Sequence, residues 1–244
     1  MRHITKGDSD YFLSQKNKNK PITANDATRE WSRFKYKPAT IRNCLNEQFF
    51  LCCYSEICLN NHFPIMGSEG IVVSDDYGYH LEHIEPKSLK PKKTFEHENL
   101  AVSAISSSSL ATLSKEDVFG GHAKLRRYKK NSFISPLMTN SQDFFHYEST
   151  GKVVPKESLC NRREKAKARL TIYLLNLNAP VLVHWRKVWI SALSKLIDES
   201  DPIVIRQIAE LELAPIGNSL RPFHTAQRQL FGKIGEQVCK SINI

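Results

Sequence analysis

The residues best suited to chemistry lie in one short stretch, where Glu82 and His83 are adjacent and His80 precedes them by two positions. A carboxylate can hold a divalent cation against a phosphate group, and a neutral imidazole can take a proton from water. This pairing suits the cleavage of a phosphodiester bond. An exposed, solvated strand end would have the same composition. The stretch therefore indicates a candidate site, and the residues around it must decide between a catalytic pair and a solvated strand end.

A short strand has to position this pair. Residues 75–78 are typical of a turn, and Pro86 ends regular strand pairing. Ile71-Val72-Val73 and residues 79–84 then predict the two strands of a β-hairpin. The acid and the imidazole fall at the end of the second strand, where we expect both side chains to reach one site.

Composition limits the class of protein. The chain has 244 residues, of which 41% are apolar and 25% charged, as in an ordinary globular protein of one large or two small domains. No apolar stretch suits a membrane span and the first residues lack a signal core, so we expect a cytoplasmic protein with no membrane association. Six scattered cysteines fit no disulfide framework. The formal charge of +10 favours polyanionic partners.

The densest basic patch of the chain consists of Arg126, Arg127, Lys129 and Lys130 around Tyr128. Basic residues with an interleaved aromatic residue suit phosphate contact and base stacking. A solvated helix face is the alternative interpretation of the same residues.

Three regions follow from the pattern along the chain. Residues 1–48 predict a weakly ordered arm over 1–26 and then helices, with Asp26 as a helix N-cap. Residues 49–156 predict a module with strands, and residues 157–244 a helical region. The predicted fold class is α+β. Beyond the hairpin, the predicted elements are strands at 133–137 and 144–147, a serine-rich linker at 103–114, and helices at 162–177, 181–197, from 201 and at 226–242.

The site residues occur in a recognisable order: Glu82-His83, then Asn99, then His122. This series resembles the motif of HNH endonucleases, whose ββα-metal fold places two strands and a helix around one divalent ion. The wider series is similar to PtuB-like HNH nucleases of Septu and retron-associated antiphage systems. The resemblance extends from about residue 50 to about residue 180, and its matching segments are 80–88, 98–100, 121–124, 133–137, 145–147 and 151–153. It implies a small ββα-metal module embedded in a mainly helical chain.

The resemblance also implies a role for each site residue. His83 would be the general base, and Glu82 and His122 would hold a divalent ion, Mg²⁺ or Mn²⁺. Asn99 would brace a loop and orient His83, and His80 would be a further ligand or a phosphate contact. The residues expected to contact nucleic acid are His80, Lys87, Lys124, Arg126, Arg127, Lys129 and Lys130.

The chain departs from these relatives in its cysteines. Relatives often carry Cys-x-x-Cys ahead of the hairpin, whereas this chain has Cys52-Cys53-Tyr54-Ser55-Glu56. Later family cysteines fall on Ala104, on Phe119 or Gly120, and on Ser141. A structural zinc site needs about four soft ligands. We therefore expect no structural zinc, and we expect Phe49, Phe50 and Tyr54 to stabilise the module by packing.

The resemblance implies a function and partners. The chain would be the nuclease effector of an antiphage complex with a PtuA-like ATPase, cutting DNA or, in a retron-type system, a host RNA such as tRNA. A retron reverse transcriptase and its msDNA would then be further partners. The docking surface is expected in the arm and in 157–244, with Trp185, Trp189 and Ile190 either as anchors or as core. A catalytically inactive HNH-like adaptor that binds nucleic acid is the alternative, and a basic helical protein without a nuclease site is a third.

Overall fold

The computed structural model describes residues 1–60 and 77–242. Its described residues form an α+β fold with two small antiparallel sheets. The strands are β1 (Tyr79–His83), β2 (Leu100–Ala104), β3 (Phe145–Tyr147) and β4 (Val153–Pro155). The helices are α1 (Tyr11–Asn17), α2 (Ala24–Arg33), α3 (Lys37–Glu47), α4 (Gly121–Lys124), α5 (Arg162–Leu174), α6 (Pro180–Asp198), α7 (Pro202–Leu213), α8 (His224–Leu230) and α9 (Gly232–Ser241).

The candidate site is carried by β1, β2 and α4, in that order along the chain. β1 pairs antiparallel with β2, so that Glu82 lies opposite Ala101 and His80 opposite Ser103. β2 is buried along its whole length because its side chains are apolar or small on both faces. The first strand of the expected hairpin, at 71–73, lies outside the described residues. Among the described residues β1 has β2 as its partner, and the predicted serine-rich linker begins only after this strand.

Several helix boundaries follow from local capping. α2 begins one turn earlier than expected, because Thr23 is its N-cap and accepts a hydrogen bond from the backbone N–H of Asp26. α7 begins as predicted after Asp201, whose carboxylate accepts from two backbone N–H groups. The predicted last helix is two helices, separated at Gly232, which has a φ of 55°.

The first residues of the chain are packed, contrary to the expectation of a weakly ordered arm. Met1, Ile4 and Leu13 are buried in the core. The amino group of Met1 lies 2.9 Å from a carboxylate oxygen of Glu56 and also donates to the hydroxyl of Tyr147. Polar composition misled the prediction because these few apolar residues are enough to anchor the segment.

The main core contains Tyr54, as expected, together with Trp185 and Ile190. Trp185 is 2% exposed and Ile190 is 5% exposed, so neither is available as a docking anchor. Residues 133–137 are not a strand, although Phe133 is buried in the same core. Within the described part of the chain, every helix is too short or too polar to cross a bilayer.

Candidate functional site

Neighbouring side chains of β1 point to opposite faces of the strand. Glu82 and His80 share one face with Lys124, whereas the ring of His83 lies against Trp31 at a centroid distance of 4.5 Å. Glu82 and His83, which we expected to reach one site, therefore leave β1 on opposite faces. The imidazole that stands beside the carboxylate is His80.

Glu82 is a buried carboxylate with several donors around it. Its Oε1 lies 2.7 Å from the ammonium of Lys124 and accepts a hydrogen bond of 3.3 Å from the hydroxyl of Tyr54. Burial raises the pKa of Glu82, but hydrogen bonds from His80 and Lys124 and the charge of Lys124 outweigh it and lower the pKa to about 2. Glu82 is therefore ionised at neutral pH.

We expected Lys124 to contact nucleic acid, but the structure buries it within the protein. Its side chain is fully buried. Besides Glu82, its ammonium donates to the carbonyls of His83 and Ile84, both at 3.2 Å. A lysine is rarely buried without such partners. Lys124 thus ties α4 to the end of β1.

His80 and His122 are oriented by one carbonyl group. The Nδ1 of His80 lies 2.7 Å from the carbonyl oxygen of Ile105, and the Nε2 of His122 lies 3.1 Å from the same atom. Because a carbonyl only accepts, both nitrogens carry hydrogen. Ile105 is a buried β-branched residue with a φ of 73°, a strained conformation that aims this carbonyl between the two rings.

This arrangement turns a ring nitrogen of His80 towards the carboxylate. The Nε2 of His80 lies 3.5 Å from Oε2 of Glu82. Two lone pairs at this distance repel unless a positive charge lies between them. Burial lowers the pKa of His80, but the hydrogen bond and the charge of Glu82 outweigh it, so that the pKa is raised. A proton on Nε2 or a divalent cation can satisfy this pair.

The pair fits a divalent metal ion in both chemistry and spacing. Two ligands about 2.1 Å from one ion and about 110° apart lie roughly 3.4 Å from each other. One imidazole and one carboxylate suit Mn²⁺ and other first-row ions better than Mg²⁺, which prefers oxygen. Gly121 leaves room here, because an added Cβ would lie 2.6 Å from Oε2 of Glu82 and 2.8 Å from Nε2 of His80.

His122 lies beside this pair. Its ring centroid is 4.2 Å from that of His80. Burial and the charge of His80 lower the pKa of His122, which keeps its Nδ1 lone pair available. Within the described chain, however, His80, Glu82 and His122 do not bring three ligand atoms within 4.8 Å of one another.

Among the described residues, three ligand atoms lie within 4.8 Å of one another in a buried cluster of Cys44, Glu47 and His97, which could hold a metal ion. Sequence reasoning missed this cluster because its members come from α3 and from the turn before β2. The ammonium of Lys6 donates to Glu47 and to the carbonyl of Leu100, and lies 3.6 Å from the sulfur of Cys44. Lys6 already supplies the cluster with a positive charge, so a metal would have to displace it.

His83 is neutral at physiological pH. Burial and the charge of Lys87 lower its pKa to about 4. Its Nε2 lies 3.0 Å from the carbonyl oxygen of Thr94, so Nε2 carries the hydrogen and Nδ1 the lone pair. His83 is the last residue of β1.

Asn99 braces the loop between the two strands. Its side-chain oxygen accepts from the backbone N–H of Glu85 at 2.7 Å, and its amide donates to the carbonyls of Glu85 and Lys93 at 3.0 and 3.1 Å. The loop thus held contains Thr94, the partner of His83. A bracing role for Asn99 was expected, although in a loop between strand and helix.

The predicted basic patch is exposed, but its aromatic residue is not free. Arg126, Arg127, Lys129 and Lys130 are all exposed. The ring of Tyr128 packs on Phe133 at a centroid distance of 5.4 Å, and burial raises its pKa to about 12. The ring that the sequence pattern offered for base stacking is therefore partly used in packing within the protein.

Sequence reasoning also missed an exposed aromatic residue close to His122. Tyr173 is 71% exposed and lines a cavity that His122 also lines. The signal was present, because Arg162, Lys165, Arg169 and Tyr173 recur at helical spacing on one face.

Comparison with protein-family models finds no match for this chain, and comparison with curated proteins finds none either. The support for a function comes therefore from the side chains themselves and from their order in the sequence.

Proposed function

We propose that the chain is a metal-dependent nuclease of the HNH type that hydrolyses phosphodiester bonds in nucleic acid. The observation that carries this proposal is the buried carboxylate of Glu82 facing the Nε2 of His80 at 3.5 Å, with His122 beside them. The order of β1, β2 and α4 agrees with the strand–strand–helix order that the HNH resemblance implies.

Glu82 and His80 would hold the divalent ion, and His122 would lie beside it. A bound ion would act as a Lewis acid on a phosphate oxygen. Lys124 keeps Glu82 ionised and in place, and the Ile105 carbonyl fixes which nitrogen each imidazole offers. These residues are positioned before any ligand binds, which is the condition for efficient catalysis.

His83 would accept the proton of the attacking water through Nδ1. His83 is only 7% exposed and its ring packs on Trp31, so this role requires that water reach the ring from the end of β1. A pKa of about 4 makes it a weak proton acceptor in the free chain. A phosphate bound near Lys87 would offset the lysine charge and raise this pKa towards the working range.

Cleavage assays test the proposal. The purified chain would be incubated with Mn²⁺ or Mg²⁺ and with labelled duplex DNA, single strands or total tRNA, alone and with a PtuA-like ATPase. We expect cleavage with metal and none with EDTA. His83→Ala should lower the rate by about 10²- to 10⁴-fold. His184→Ala is the matched control, since His184 is an exposed histidine of α6. Cleavage that survives His83→Ala would remove the general base from the proposal.

We place the chain, on its resemblance, as the effector of an antiphage complex with a PtuA-like ATPase. A retron-type form would add a reverse transcriptase and its msDNA, with RNA as the substrate. Retention of phage protection by His83→Ala in cells that carry the complete system would contradict an effector role that depends on cleavage.

One observation favours the inactive adaptor as a second candidate. Lys124 already compensates the charge of Glu82, which weakens the attraction of that carboxylate for a cation. An adaptor would bind nucleic acid but would bind Mn²⁺ no better than a Glu82→Gln variant does. Calorimetric titration with Mn²⁺ separates the two candidates.

A further inference from the structure

An open cavity of about 750 Å³ begins at His122 and continues between the end of α4 and helix α5. Its volume is within the range of ligand pockets, roughly 300 to 1,000 Å³. One wall contains His122, Leu125 and Arg127, and the other contains Arg169 and Tyr173. The cavity therefore shares His122 with the candidate catalytic site.

The charge of the cavity suits a polyanion. Its described lining contains three permanent cations, Lys115, Arg127 and Arg169, and no carboxylate. On α5, Arg162, Lys165 and Arg169 share one helix face, which leads to Tyr173. Such a track of cations ending at an aromatic ring is typical of surfaces that bind single-stranded nucleic acid.

Tyr173 and Arg127 lie across the cavity from each other. The guanidinium of Arg127 is 6.0 Å from the ring centroid of Tyr173. Arg127 is held in place by hydrogen bonds to the carbonyls of Ala123 and Lys124. Stacked bases are about 3.4 Å apart, so a base between two flat groups needs about 7 Å. Opening the gap by about 1 Å would admit one base between guanidinium and ring.

Leu125 supports the same interpretation. It is 65% exposed, lines the cavity, and has a φ of 53°, where glycine would be unstrained. An exposed leucine at such a position stabilises neither the core nor the backbone. An apolar side chain of this kind is suited to separate a base from its neighbour.

We propose that the cavity binds an unpaired nucleotide next to the scissile phosphate. Its base stacks between Tyr173 and Arg127, Leu125 separates it from the adjacent base, and Arg169 contacts a flanking phosphate. This inference rests on the proposed nuclease function and specifies its substrate class. A regular duplex hides its base faces, so the preferred substrate is a single strand or a loop.

Binding without cleavage tests this proposal. Fluorescence anisotropy in EDTA would compare a labelled single strand of about 12 nucleotides with the duplex of the same sequence. We expect the full chain to bind the single strand more tightly. Tyr173→Ala should weaken that binding roughly 5- to 150-fold, and Tyr173→Phe should retain it. Tyr11→Ala is the matched control, because Tyr11 is 69% exposed on α1 and lies outside the cavity.

Two further variants separate binding from folding. Leu125→Gly relieves backbone strain, so its Tm should be unchanged or up to about 3 °C higher, while binding weakens. Arg169→Ala should reduce the dependence of log Kd on log salt by about one, whereas Lys233→Ala, an exposed lysine of α9, should not.

The outcomes distinguish this inference from the proposed function. Equal binding by Tyr173→Ala and wild type, or equal binding of duplex and single strand, would overturn the cavity as a nucleotide site. Cleavage that depends on His83 would then still support the nuclease. A wild-type chain that binds neither nucleic acid would overturn both.

Discussion

Replacement of Lys124 by methionine should be among the most destabilising single changes in this protein. The substitution removes the ammonium that lies 2.7 Å from Oε1 of Glu82 and leaves a buried carboxylate without its main compensating charge. At an effective dielectric constant of about 20, the attraction at this distance is roughly 6 kcal/mol before the cost of removing both ions from water. Breaking a buried pair by removing one partner costs about 3–5 kcal/mol. In a chain of this size that loss corresponds to a fall in Tm of roughly 10 °C.

A double-mutant cycle identifies the cause of this loss. Urea unfolding would be followed by tryptophan fluorescence for Lys124→Met, Glu82→Gln and the double variant. The double variant should be more stable than Lys124→Met alone, because glutamine leaves no bare charge. Lys195→Met is the control, since its pair with Glu199 is exposed and 3.9 Å long, and should change stability by less than about 0.5 kcal/mol. A loss below about 1 kcal/mol for Lys124→Met would refute the reasoning.

Two other changes test the site and the core. Gly121→Ala places a Cβ 2.6 Å from Oε2 of Glu82 and should abolish Mn²⁺ binding in calorimetry. Gly7→Ala is the control, because its Cβ meets only an ordinary contact of 3.6 Å and Mn²⁺ binding should be retained. Retained Mn²⁺ binding in both variants would contradict the close approach at Gly121. His224 is buried, which lowers its pKa from 6.5 to about 4. Between these pH values the unfolded chain binds the additional proton, so stability should fall as pH falls, by roughly 3 kcal/mol from this residue. His224→Gln keeps a donor for the Leu213 carbonyl and should remove that part of the loss in urea midpoints measured at pH 7 and near pH 4.5. An equal acid loss in both proteins would show that another group is responsible.

The sequence predicted elements well where local signals determine them. Asp201-Pro202 predicted the start of α7, and the turn residues at 75–78 together with Pro86 predicted a strand between them. The partner of β1 was not predictable, because strand pairing is a non-local contact. Gly232 ends one helix and begins another with a backbone turn that a continuous periodic pattern conceals.

The residue types of the candidate site were predictable from the sequence, but the strand face to which each side chain points was not predicted. A strand alternates its side chains, so His80 and Glu82 had to share a face, and the motif order drew attention to His83 instead. Lys124 and Tyr173 show a second limit. One is charged and fully buried and the other is aromatic and exposed, the reverse of what each residue type favours.

A single peptide group sets the orientation of two imidazoles. The Ile105 carbonyl accepts from both His80 and His122, and the residue that carries it is held in a strained conformation inside the core. Any change that rotates this carbonyl will turn both rings at once. In a genetic selection for inactive variants, position 105 would therefore emerge as essential, although its side chain would never meet a ligand.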